Sequence, residues 1–81
     1  MRIRALFFGR LSESAAAAPV DVEIAAGATV ADLKRWATRT YPAAAPQFSG
    51  CMVAVNERYA GDSQVLEPGD VLAFLPPVSG G

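Results

Sequence analysis

Between residues 20 and 41 the spacing of apolar side chains changes from two to about 3.6, and that change limits the folds open to the chain. "VDVEIA" (20–25) alternates strictly, with Val20, Val22 and Ile24 on one face and Asp21 and Glu23 on the other. This is the pattern of a half-buried strand. "GATVADLKRWATRTYP" (27–42) then places Val30, Leu33 and Ala37 at i, i+3 and i+7, with Lys34 and Arg35 outside the stripe. That spacing predicts an amphipathic helix. Trp36 widens its apolar stripe and is read as core. Thr29 followed three residues later by Asp32 is the capping-box kind of helix start, and Pro42 stops the helix at about Tyr41. One amphipathic helix beside an alternating strand calls for a layer of helix on sheet.

The rest of the chain supplies the other strands. "RIRALFF" (2–8) sets Ile3, Ala5 and Phe7 against Arg2 and Arg4, then becomes apolar on both faces at Leu6 and Phe8. The spacing predicts a strand whose far end is either covered twice or covered once and sticky on the other face. "GRLSESAAAAP" (9–19) reads as a loop in which the alanine run could carry a turn of helix before Pro19. "AAAPQFSG" (43–50) reads as a connecting loop, and "CMVAVN" (51–56) as a buried central strand bounded by turn residues. "NERYAGDS" turns back, and Pro68-Gly69 suits the two central positions of a type II turn. "VLAFLP" (71–76) is the last strand, ended by Pro76 and Pro77, neither of which can donate to a ladder. The predicted order is β-β-α-β, a short strand-like piece, then β. It is an α+β arrangement of the β-grasp kind, a mixed sheet packed on one main helix. The expected organisation is one domain over residues 1–75 and an extended tail over 76–81.

Composition excludes several function classes. The formal charge is −1, from seven basic and eight acidic residues spread along the chain. No basic stripe is available to neutralise phosphates, and no polybasic patch to hold a membrane surface. The apolar run near the N-terminus is too short for a signal-peptide core or a membrane span. A chain without histidine has no Ser-His or Cys-His nucleophile pair and lacks the commonest zinc ligand. As an independent enzyme it is poorly equipped. Asp62, Glu67 and Asp70 look like turn acids, since their spacing matches no metal-ligand motif. Cys51 is the single cysteine, which fits a reducing cytoplasm. It opens an apolar strand without a neighbouring cation or helix start to lower its pKa. A buried structural thiol is expected there, in preference to a sulfur-relay thiol. Of the hydrophobic 52%, sixteen residues are alanine, so the core must come from the larger side chains.

The sharpest chemical signal is the end of the chain, "PPVSGG". Pro-Pro favours extended polyproline II, and Ser-Gly-Gly adds freedom without bulk. The six residues reach at most about 20 Å when extended. A terminal glycine has no Cβ, so its backbone can thread a narrow channel, and its carboxylate is open to a nucleophile. The plain alternative is a chain that merely ends in small residues. A diglycine directly after the last strand of a β-grasp pattern favours the functional reading.

On these residues the sequence resembles the small subunit of molybdopterin synthase, the sulfur-carrier branch of the ubiquitin-like β-grasp family. The resemblance runs along essentially the whole chain. It rests on "LFFGRLSE" (6–13), "GATVADL" (27–33), "VAVNERYA" (53–60) and, most specifically, "LEPGDVLAFLPPVSGG" (66–81). It departs around Glu13, where Ser12 and Ser14 stand in place of the family's usual arginine and leucine. The resemblance implies that an E1-like adenylyltransferase activates the Gly81 carboxylate with ATP and that a sulfur donor protein converts it to a thiocarboxylate. Gly81 would thus carry AMP and then sulfur, with no resident cofactor and no metal. Pro76, Pro77, Val78, Ser79 and Gly80 would thread into the large subunit of a heterotetramer, where the catalytic groups reside. The sulfur would pass to cyclic pyranopterin monophosphate to build the molybdopterin dithiolene. Phe8, Tyr59 and Leu75 map to the family's apolar docking surface. For Phe8, docking and ordinary core weigh equally, because "LFF" must bury at least one face. For Leu75 docking is favoured, because Val71, Ala73 and Leu75 alternate with Leu72 and Phe74. Tyr59, just past a turn, fits an exposed aromatic anchor. Two other readings remain open: a sulfur carrier for another pathway such as thiazole synthesis, and a ubiquitin-like modifier joined to lysine.

Overall fold

The computed structural model of the chain describes residues 1–76. Five strands form one mixed sheet: β1 (Arg2–Phe7), β2 (Val20–Glu23), β3 (Met52–Val55), β4 (Arg58–Ala60) and β5 (Val71–Leu75), in the spatial order β2-β1-β5-β3-β4. β1 and β5 run parallel, and the other neighbouring pairs are antiparallel. The main helix, α2 (Val30–Thr40), lies on one face, giving the β-grasp arrangement that the pattern of periods predicts.

The alternation in β1 and β5 decides which face the helix covers. Ile3, Ala5 and Phe7 of β1 and Leu72 and Phe74 of β5 are buried under α2, against Val30, Leu33 and Ala37. Phe7 and Phe74 stack with centroids 5.0 Å apart, and Phe48 meets Phe74 edge-on at 5.4 Å. Phe48 and Phe74 are the largest fully buried side chains, and offset and edge-on ring contacts of this kind add to what their burial contributes. The helix start is fully satisfied. The Thr29 hydroxyl accepts from the Asp32 N–H, and the Asp32 carboxylate accepts from the Thr29 N–H at 2.9 Å, the predicted capping box. The Val30 and Ala31 N–H groups donate to the carbonyls of Gln64 and Asp62, both at 3.0 Å. That N–H from Thr29, followed by the Arg35 guanidinium, holds the Asp32 carboxyl below the usual carboxylate range.

Several sequence expectations are corrected. The central strand is β5, and β3 lies beside it with Met52 exposed; the uniformly apolar run hid which residues face outward. The segment expected as a connecting loop contains a 3₁₀ turn (Pro42–Ala44) and a short helix, α3 (Ala45–Phe48), that carries Phe48 into the core. In the 9–19 loop the helical turn, α1 (Arg10–Ser14), precedes the alanine run, and its Leu11 is buried. Trp36 is half-buried at the rim, edge-on to Tyr41, because it sits at the margin of the helical stripe. The strands stop short of their expected ends, so Phe8 and Asn56 lie just outside β1 and β3.

The turns behave as their residues require. Gly69 has φ of 83°, and the Asp70 N–H closes the turn onto the Glu67 carbonyl at 3.1 Å, as in a type II turn. Asp70 is buried, and its carboxylate accepts from the Asn56 side-chain amide at 2.9 Å and the Glu67 N–H at 2.8 Å. Asn56 in turn accepts from the Val71 N–H at 2.9 Å and donates its own N–H to the Val71 carbonyl at 2.8 Å. This network ties the β3–β4 turn to the start of β5. A buried carboxylate is tolerated here because its acceptors are used.

Candidate docking face and tail exit

The sheet has a second face that no helix covers among the described residues. One row across it runs Leu6, Ala73, Ala54, Tyr59, set by the pairings Leu6 with Ala73, Ala73 with Ala54, and Ala54 with Tyr59. A second row joins Leu75 to Met52, with Phe8 beside them at the end of β1, where its N–H donates to the Phe74 carbonyl at 3.2 Å. Tyr59 is 70% exposed, Met52 53% and Phe8 45%. Such side chains grouped on one face of a small domain make it a candidate interaction surface. A groove of about 510 Å³ lies on this face, lined by Leu6, Phe8, Ala54, Val71 and Ala73 and by the turn residues Asn56 and Glu57.

The face is not apolar throughout. At the β1–β2 corner Arg2 pairs with Glu23 at 2.9 Å and Arg4 with Asp21 at 3.2 Å, all four side chains solvent-exposed. These cross-strand pairs keep that corner hydrated, and the apolar part lies towards the end of β5.

That is also where the chain leaves the sheet. Pro76 follows Leu75 and lies against Gly9, whose φ of 58° puts it in the glycine-favoured region. A Cβ at Gly9 would stand 2.8 Å from the Pro76 ring carbon, so the contact needs a residue without a side chain. "FFG" and "LPP", remote in sequence, meet at this point.

The residues singled out from sequence fall as follows. Phe8 and Tyr59 are exposed on the open face, and Leu75 is half-buried between Phe8 and Met52. Phe7, not Phe8, fills the core. Pro76 is at the exit, and Pro77, Val78, Ser79, Gly80 and Gly81 lie outside the described residues. Sequence reasoning missed Met52 and Leu6 as members of the face. The strand register puts Met52 opposite Leu75, a pairing that only the tertiary fold reveals. Cys51 is buried, its Sγ 3.0 Å from the Phe48 carbonyl, and burial pushes its thiol pKa up. A thiol held protonated in this way is a poor nucleophile. Among the described residues no group of three His, Cys, Asp or Glu is placed to hold a metal ion, and no helix is long and apolar enough to cross a membrane.

The ThiS family profile matches residues 5–81. A molybdopterin synthase sulfur carrier subunit from Chlamydomonas reinhardtii is 32% identical over 83 residues, covering 100% of both chains. Among solved structures, small archaeal modifier protein 1 of Haloferax volcanii is similar with a TM-score of 0.85 at 26% identity, covering 95% of this chain and 98% of that one. A complex of subunits 1 and 2 of molybdopterin-converting factor from Helicobacter pylori contains a chain similar at a TM-score of 0.71 and 24% identity, covering 100% of both. At that identity the likeness is one of fold.

Proposed function

The chain belongs to the ThiS family, and from that premise we propose that it is the sulfur carrier subunit of molybdopterin synthase, with Gly81 as the sulfur-bearing residue. The observation that carries the reading is that Phe8, Met52 and Leu75, apolar side chains of the open sheet face, lie together where Pro76 leaves β5. The family match running to Gly81, and the Chlamydomonas relative matched end to end, support it.

The chemistry assigned to the chain is group transfer at one carboxylate. A Gly81 carboxylate oxygen attacks the α-phosphorus of ATP on an E1-like adenylyltransferase, forming an acyl-adenylate and releasing pyrophosphate. Sulfide delivered by a sulfur donor protein displaces AMP and leaves a thiocarboxylate. Within the second subunit that sulfur forms a C–S bond to a side-chain carbon of cyclic pyranopterin monophosphate as a C–O bond at the same carbon breaks. The displaced oxygen stays on the opened phosphate or leaves as water. Hydrolysis of the acyl C–S bond of the resulting thioester then leaves the sulfur on the pterin and returns the glycine carboxylate. Each carrier brings one sulfur, so a dithiolene requires two deliveries. Acid–base groups for these steps are assigned to the partners, in keeping with a chain that has no histidine. Phe8, Tyr59 and Leu75 are assigned to docking, and Pro76 to Gly80 to threading. The buried free thiol of Cys51 suits the reducing cytoplasm in which we place the protein.

Adding one residue after Gly81 tests this directly. The extended chain is expected to melt at the parent's temperature and to transfer no sulfur to cyclic pyranopterin monophosphate in a reconstituted assay. Normal transfer by the extended chain would overturn the proposal. A second reading is favoured by the likeness to the Haloferax modifier protein, namely attachment of Gly81 to lysine. High-mass conjugates in cells would identify that use, whereas sulfur transfer changes the mass of the carrier alone.

A further inference from the structure

The β3–β4 hairpin turns through two residues, Asn56 at φ 50° and Glu57 at φ 71°. Positive φ at both positions makes it a type I′ turn, whose second position strongly favours glycine. Asn tolerates the left-handed region because its short side chain bonds locally, and Asn56 is held by Asp70 and Val71. Glu57 has no such excuse. It makes no side-chain hydrogen bond or ion pair among the described residues, and it is exposed.

A strained residue without a structural partner invites a functional explanation. Glu57 lines the groove on the open face, together with Leu6, Phe8 and Ala73. The acids of the β1–β2 corner are already neutralised by Arg2 and Arg4. Glu57 is therefore an uncompensated charge at the rim of an apolar surface, on a turn fixed by the Asn56–Asp70 network. A rim charge of this kind governs the rate and selectivity of association more than its final strength.

We infer that Glu57 is a specificity-determining contact for the second synthase subunit, receiving a lysine or arginine at the rim of the docking face. This rests on the docking reading above and adds to it the chemistry that the partner must present. A partner with an apolar patch but an acidic rim would be repelled at this point.

The test uses the full chain and the second subunit encoded by the same organism, followed by stopped-flow association. Glu57→Gln is expected to slow association about fivefold at low salt, and Glu57→Lys by more, with the differences closing above about 0.5 M salt as screening takes over. Glu57→Gly is expected to bind as weakly as Glu57→Gln while melting at a higher temperature than the parent. Stability and binding moving in opposite directions excludes a merely structural role. Parental rates and salt dependence in Glu57→Gln overturn the inference, as does a loss seen in Glu57→Gly alone. If the unmodified chain does not bind the second subunit, the docking reading fails, and this assignment fails with it.

Discussion

Phe74 and Leu75 are adjacent in the chain and opposite in surroundings. Phe74 is buried between Phe7 and Phe48, whereas Leu75 faces outward beside Met52. One step of the pleat separates a residue that holds the fold from one available to a partner. Leu75→Glu therefore serves to separate the two roles. The substitution is expected to leave the melting curve close to the parent's and to weaken association with the second subunit at least tenfold, about 1.4 kcal/mol, because a charge must be desolvated against an apolar surface. Titration calorimetry checks this, and unchanged affinity removes Leu75 from the interface. The alternation of Val71, Ala73 and Leu75 with Leu72 and Phe74 made this residue legible in sequence. Met52 was not, because Cys51 to Val55 are all apolar and no period of two can be read from them. Gly9 was not either, since its need for a bare Cα arises from Pro76, a residue far along the chain.

At the scale of elements, α2 was readable because it is long enough to show its period and carries its own start signal. Thr29→Ala removes the side-chain half of the capping box and is expected to lower unfolding stability by about 1 kcal/mol. Urea unfolding should show a lower midpoint with an unchanged slope, since the surface exposed on unfolding stays the same. An unchanged midpoint would mean that the Gln64 and Asp62 carbonyls alone hold the helix start. The segment from Pro42 to Phe48 shows why other elements were missed. A three-residue 3₁₀ turn and a four-residue helix are too short for any period to appear, and Pro42 and Pro46 signal a loop. Proline is nonetheless at home in a first helical turn, where its missing N–H is not needed. The core contact of Phe48, not local preference, sets that stretch.

For the whole molecule, the topology links the two halves of the proposed function. Placing β1 and β5 parallel at the middle of the sheet brings the end of the first strand and the end of the last to the same edge. Phe8 therefore sits beside Leu75, and the chain departs from the midst of the exposed apolar side chains. The main helix, with Leu11 of α1 and Phe48 of α3, fills the other face and leaves this one open. A chain of 81 residues buries only about 60% of its unfolded surface, and the proposed docking face is part of what stays uncovered. On the proposed function the labour divides in the same way: the fold presents a surface and an exit, and the proposed reactive group, the Gly81 carboxylate, follows both in the chain. Intact mass spectrometry with C-terminal fragmentation, after incubation with ATP, the activating enzyme and a sulfide source, tests that claim most directly. The account predicts exchange of one oxygen for sulfur, confined to Gly81. An unchanged mass, with an activating enzyme that works on a known carrier, or sulfur found on Cys51 instead, would contradict it.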